Sequence, residues 1–221
     1  MQNDKLRAAS RLRVQDDVLS ALRDAIVQGV FAPGEHLRET DIAERLQVSR
    51  GPVRQALAVL EHEGLAVIEA HKGARVRPLD RKDVEEVYSL RQCLDGLAAR
   101  WAVRNATDHD LAKLRQVLDS IALVAETGSP REFTNAELDF HDALYEAAHH
   151  ERLYAAWGPL RGQVSLLLFS RHTVADTTRA NILDDHELLY DLLANRAEEE
   201  LVAAVDEHSR SAYERLKKLY G

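Results

Sequence analysis

One cysteine, one methionine and two tryptophans occur among 221 residues. Cys93 alone cannot close an internal disulfide, and with no CxxC pair there is neither a thiolate zinc site nor a dithiol redox centre. No apolar run approaches the roughly 20 residues that a membrane helix needs. The most apolar stretch is the short one from Val164 to Phe169. Asp4, Lys5, Arg7, Arg11 and Arg13 near the N-terminus have no apolar segment behind them. A secretory signal is therefore not expected, and a reducing cytoplasm is the expected setting.

What remains is ordinary globular material, 45% hydrophobic and 30% charged, which excludes a globally disordered chain. The net charge of −8 hides a division. Up to Pro78 there are 12 Lys and Arg against 11 Asp and Glu; from Leu79 onward there are 17 against 26. Two parts with different partners are expected, 1–78 and 79–221. Any basic footprint must be small and lie in the first part.

Residues 1–12 are polar and read as a mobile terminus. Val14, Val18, Leu22, Ala25 and Ile26 then recur at helical spacing, with Gly29 placed to end the helix. Ala32-Pro33-Gly34 is a turn. A short helix is expected from Asp41 to Leu46, capped by Thr40, with Ile42 and Leu46 facing inward. Ser49 reads as the cap of the next helix, with Pro52 in its first turn and Val48 stapled to Val53. That helix stops at Gly64. Leu65–Glu69 and Ala74–Arg77 read as strands around a turn at His71-Lys72-Gly73. Three helices and a hairpin in so short a span make a winged helix-turn-helix.

Beyond Pro78, strand signals are nearly absent. Helices are expected at about 82–104, 108–126, 130–149, 151–171, 177–195 and 197–219, with Pro159 kinking or interrupting the fourth. Six helices of this length should close an antiparallel all-α bundle.

On the helix after Ser49, Val53, Ala56, Leu57 and Leu60 share one arc, while Arg50 and Arg54 lie one turn apart on another, with Gly51 and Gln55 beside them. A guanidinium near the start of such a helix can bond guanine O6 and N7 bidentately in the major groove. Gly51 lets the duplex come close. Solvated surface arginines are the plain alternative, as a merely polar turn is for His71 and Lys72, which would otherwise touch phosphate or the minor groove.

The run Gly29…Pro33-Gly34…Leu37…Ile42-Ala43…Leu46…Val48-Ser49-Arg50-Gly51-Pro52-Val53-Arg54…Ala56-Leu57…Leu60…Gly64-Leu65…Gly73…Val76 resembles the N-terminal domain of the GntR family of bacterial transcription regulators. The resemblance covers about 14–77 and implies DNA contacts from Ser49, Arg50 and Arg54, with Gly73 at the wing. The sequence departs from that pattern at Gly51, where Thr is frequent, and at Gln55, where Glu is usual.

Seven of the ten histidines lie in the acidic part. His109, His149, His150 and His172 fall near expected helix ends and read as exposed. Three others lie on apolar stripes: His141 with Leu138, Leu144 and Ala148; His186 with Ile182, Leu189 and Leu193; His208 with Leu201, Ala204 and Val205. Hydrogen-bonded core histidines are the plain reading of each. Together they can converge, and Glu137, four residues before His141, can share an ion with it; Asp139 is the near alternative. Three imidazoles and a carboxylate suit Zn²⁺, Ni²⁺, Mn²⁺ or Fe²⁺, leaving positions open for water or a small carboxylate.

Leu90-Arg91…Leu94-Asp95…Ala98-Ala99, Phe140-His141…Leu144, Asp185-His186…Leu189 and Ala203…His208 resemble the FCD domain of FadR-type GntR regulators, over about 82–216. The resemblance implies the metal-binding branch, with Glu137 where Asp is common. It also implies that Arg91 reaches inward to the effector's carboxylate; an ion pair with Asp95 is the plain alternative. Tyr88, Ser165 and Arg161 are further pocket candidates.

The sequence therefore reads as a ligand-responsive transcription regulator and not an enzyme. It is expected to bind double-stranded DNA at an inverted repeat as a homodimer, under control of a small carboxylate effector held at the metal. A metal-free regulator with an apolar acyl pocket, or a metal-dependent hydrolase or lyase joined to a DNA-binding module, are the rivals.

Overall fold

The structure, a computed structural model, describes the backbone of residues 2–174 and 179–220 and the side chains of 14–172 and 179–220. Its contacts divide the chain into two units, Met1–Leu79 and Asp80–Gly221, each with its own core.

In the first unit, α1 (Gln2–Val27) buries Val18, Leu22 and Ile26 at the spacing that the periodicity indicated. It begins at Gln2, so helix also covers the segment expected to be a mobile terminus. After β1 (His36–Leu37) come α2 (Glu39–Arg45) and α3 (Arg50–His62), then β2 (Ala66–Glu69) and β3 (Gly73–Val76). The three strands form an antiparallel sheet in the order β1-β3-β2, with His36 opposite Arg75 and Ala66 opposite Val76. α3 buries Val53, Ala56, Leu57 and Leu60 against α1, α2 and β2. This apolar stripe fixes which side of α3 faces out, and Arg50, Gly51, Arg54 and Gln55 lie on that side.

Several local expectations need correcting. α2 starts at Glu39 behind Arg38 rather than behind Thr40, and Leu46 lies outside the helix, 37% exposed. Ser49 does occupy the cap position of α3, in extended backbone, but its side chain makes no capping bond. The two-residue β1 was not foreseen, because two residues carry no readable alternation. The hairpin turns through left-handed backbone at both His71 (φ 66°) and Gly73 (φ 84°). Only the second is free of side-chain strain there.

The second unit is an all-helical bundle of α4 (Arg81–Asn105), α5 (Asp108–Thr127), α6 (Pro130–Ala147), α7 (Glu151–Val174), α8 (Arg179–Ala194) and α9 (Glu198–Leu219). Three starts are capping boxes, in which a side chain and the residue three positions on bond each other's backbone N–H: Asp80 with Asp83, Thr107 with Asp110, and Ser129 with Glu132. α7 runs on through Pro159 instead of being interrupted there. The long α4 packs along α9, while α6 contacts α4, α5 and α7. α6 is consequently buried nearly all round: Phe133, Leu138, Phe140, Leu144 and Tyr145 are enclosed, and so are Glu137 and His141. Among the described residues no helix is long and apolar enough to cross a membrane.

Candidate functional site

Each unit presents a polar constellation. On the first, the outer face of α3 carries Arg50 and Arg54 with side chains 59% and 66% exposed. Neither is a free solvated charge. Glu39, in the first turn of α2, accepts from Arg54 Nε at 3.0 Å and Nη2 at 2.8 Å, and from Arg50 Nη2 at 3.1 Å. The Arg54 hydrogen bond holds the Glu39 carboxyl below the usual carboxylate range. Gly51 leaves open space: a Cβ there would meet only the Ser49 hydroxyl, at 3.9 Å. Lys72 at the wing pairs with Glu69 at 3.1 Å. Arg38, Thr40, Arg50, Lys72 and Gly73 line one shared concavity, so the wing and the start of α3 bound a single surface.

The second constellation is internal. His141 of α6, His186 of α8 and His208 of α9 are 1%, 0% and 5% exposed. Their rings meet at centroid separations of 5.5, 5.4 and 4.7 Å, and one nitrogen from each lies within 4.8 Å of the other two. Burial pushes all three below the ordinary histidine value, so they are neutral, as a metal ligand must be. His186 Nδ1 donates to the Ile182 carbonyl at 2.6 Å, which puts the lone pair on Nε2, a buried atom with no partner. Both nitrogens of His208 also lack hydrogen-bond partners.

His141 differs. Its Nε2 lies 2.6 Å from Arg91 Nη2, and since a guanidinium only donates, Nε2 accepts. Arg91 is completely buried; its Nε donates to Asp95 Oδ2 at 3.0 Å and its Nη1 to the Tyr88 hydroxyl at 3.3 Å. Asp95 also accepts from Tyr145 at 2.8 Å and Ser209 at 3.0 Å. The pairing of Arg91 with Asp95 is thus realised, while Nη1 reaches Tyr88 and Nη2 reaches His141.

Glu137 is not brought into the group of three. Its carboxylate accepts from Arg171 Nη2 at 3.0 and 2.8 Å and from His172 Nε2 at 2.9 Å. Burial alone would raise this carboxyl, but Arg171 and His172 outweigh it and hold it well below the usual range. Because most of the circumference of α6 is enclosed, sharing a face with His141 did not decide which neighbour Glu137 would meet. Asp139 is also outside, 59% exposed and 3.4 Å from Arg161, whose Nε is bound by Asp142 at 2.7 Å. Arg161 therefore leaves the pocket, while Tyr88 and Ser165 are buried in the core.

His172, expected at an exposed helix end, is buried, since α7 continues past it. Arg171, Tyr145 and Ser209 were missed altogether. The one available signal was the dipeptide Arg171-His172, separated only by Ser170 from the most apolar stretch of the chain.

Three neutral buried imidazoles are a donor set that fits a divalent transition metal: the lone pairs of His186 and His208 are free, and that of His141 Nε2 becomes free when Arg91 Nη2 turns from it to a ligand. His141, His186 and His208 would hold it, and when bound it would supply a Lewis-acid anchor for a carboxylate oxygen.

The sequence pattern of the bacterial regulatory proteins of the gntR family matches residues 14–76, and that of the FCD domain matches 86–211. A protein of Paenarthrobacter nicotinovorans named "Probable D-xylose utilization operon transcriptional repressor" is 36% identical over 165 residues, 73% of either chain. The Nta operon transcriptional regulator of Aminobacter aminovorans is 31% identical over 191 residues, covering 86% of this chain and 88% of that protein. Among solved structures, a GntR-type regulator from Rhodococcus sp. RHA1 superposes with a TM-score of 0.81 at 25% identity, over 94% of this chain and 99% of that one.

Proposed function

Since the chain belongs to the gntR family of bacterial regulatory proteins and carries an FCD domain, it is a DNA-binding transcriptional regulator rather than an enzyme. We propose that a small organic acid, bound beside a divalent metal in the helical unit, sets its hold on an operator. The observation that carries this is the meeting of three buried, neutral imidazoles next to Arg91. The metal would sit on His141, His186 and His208. Arg91, oriented by Asp95, offers its guanidinium to the acid's carboxylate, a group that it matches in shape. The polar lining disfavours an apolar acyl ligand, whose tail would strand imidazole and guanidinium groups without partners.

In this reading Arg54, Arg50 and Gln55 read base edges, Ser49 and Gly51 let the backbone approach, and Lys72 and Gly73 meet the flanking strand from the wing. Two copies of the chain would place two such faces on an inverted repeat. Repression is supported by the word "repressor" in the name of the D-xylose relative, and acid binding is taken to release it. Release requires that the acid bind the DNA-free state more tightly than the DNA-bound one.

Metal analysis of the purified full chain, with and without His186→Ala and His208→Ala, tests the reading. About one transition metal per wild-type chain is expected, with most of it lost in either variant. Thermal shifts with small carboxylates should appear in the metal-loaded protein and vanish on chelation. A wild-type chain that neither retains a transition metal nor takes one up on titration would refute the pocket.

A further inference from the structure

Arg171 is nearly fully enclosed, at 1% exposure. Its Nη2 lies on the Glu137 carboxylate and 3.1 Å from His172 Nε2, while Nε and Nη1 are buried and donate to no atom of the described residues. Three N–H hydrogens of one guanidinium thus point into the core unanswered, which folded proteins rarely tolerate unless a ligand completes the set. Arg215 of α9 adds another such donor, since its Nε is buried without a partner while Nη1 donates to Ser211 at 2.9 Å. Arg171 joins the centre already described through Glu137, which lies one turn before His141 on α6; the charges of Arg91 and Arg171 both act on Tyr88 and His208, and that of Arg171 acts on Arg215.

The charge balance points the same way. Arg91 is answered by Asp95, Arg171 by Glu137, and Arg215 by the charge of Asp185, whose carboxylate lies 3.9 Å from His208 Nδ1; the histidines are neutral. A divalent metal on the histidines would then leave two positive charges in a buried space, together with the idle donors of Arg171. One carboxylate neutralises one of these charges. Two carboxylates on one molecule neutralise both, and the second has donors waiting. Glu137 shows that Arg171 takes a carboxylate in this interior.

We propose that the effector is a dicarboxylate: one carboxylate lies at the histidines and Arg91, and the second on Nε and Nη1 of Arg171. Arg171 is then the residue that selects two-headed acids over one-headed acids. This rests on the effector pocket proposed above. It also makes Glu137 the standing counter-ion of Arg171 and not a ligand of the metal.

Calorimetric titration of the metal-loaded full chain with malonate, succinate and glutarate, each set against the monocarboxylate of equal chain length, tests this. At least one diacid should bind roughly ten- to a hundredfold tighter than its matched monoacid, the worth of one or two charge-assisted hydrogen bonds. Arg171→Met alone strands Glu137 and is expected to fold poorly. The double variant Glu137→Gln with Arg171→Met removes both charges; it should keep its metal and lose the preference. Glu137→Gln alone should also keep its metal and should tighten diacid binding by freeing Nη2. Equal affinities for diacids and monoacids in the wild type, a preference that survives in the double variant, or loss of metal in Glu137→Gln overturns the proposal while leaving the effector pocket standing. Binding of no acid of either kind by metal-loaded protein overturns both.

Discussion

Glu39 gives the sharpest test of the DNA-binding face. Its carboxylate is bonded by both Arg50 and Arg54, so the two guanidiniums nearest the expected major groove are partly neutralised before DNA arrives. Glu39→Gln keeps the size of the side chain and removes the charge. Each arginine thereby released can neutralise a phosphate, and each phosphate neutralised steepens the salt dependence of log K by about 0.9. Two arginines per domain give up to about 1.8. Over a rise from 50 to 200 mM salt, a slope change of that size is roughly a tenfold difference in affinity. The variant should therefore bind random-sequence duplex more tightly than wild type at 50 mM, with an advantage that shrinks about tenfold by 200 mM. Fluorescence anisotropy on a labelled random duplex across that range reads both quantities, and far-UV circular dichroism checks that α2 is intact. Equal slopes and equal affinities in the two proteins would show that Glu39 does not hold the arginines in solution.

Arg54→Ala should abolish sequence preference, measured by selection from a pool of random duplexes, with the circular dichroism unchanged because the side chain is 66% exposed. A preserved preference would remove its reading role. Arg91→Met should destabilise the helical unit by about 3–5 kcal/mol, since it leaves Asp95 buried without its cation. Urea unfolding of Arg91→Met and of Arg91→Met with Asp95→Asn checks this; the double variant should recover part of the loss, and equal midpoints for the single variant and wild type would refute it.

The legible parts of the chain were those in which one local rule decides. Periodicity placed all six helices of the second unit, and each of its three capping boxes has a short polar cap with an acid three residues on. The apolar stripes carrying His141, His186 and His208 converge because each histidine continues a row of buried aliphatic residues and must go where that row goes. Glu137 had no such constraint. In α6, packed against α4, α5 and α7, the 3.6-residue period says that a side chain is enclosed but not by which neighbour. Arg171 was illegible for a related reason. The periodicity ended α7 near residue 171, and a charged residue at a helix end ordinarily means exposure. Glu39 was missed because its partners lie 11 and 15 residues away on another helix, and no spacing rule spans a turn between two helices.

Two carboxylates, Glu39 and Glu137, each hold an arginine in advance of a ligand. Glu39 holds the arginines expected to meet DNA, and Glu137 holds the arginine assigned to the acid's second head. An unpaired arginine would attract any anion, and it would lose its full rotamer freedom when bound. An internal carboxylate changes both facts. It orders the fork in advance, and it makes an incoming anion compete with a partner that is always present at high effective concentration. A lone chloride or a stray phosphate offers a single contact and competes poorly. A duplex brings many phosphates and a base edge at once and replaces the Glu39 contact with more than one bond, whereas the second head of a dicarboxylate takes Nε and Nη1 of Arg171, which Glu137 leaves open. Glu39 therefore lowers the affinity for every anion while widening the gap between the right duplex and the rest. By this logic, removing Glu39 should strengthen binding to any duplex and weaken sequence discrimination together, and a Glu39→Gln protein that gained both affinity and selectivity would refute it.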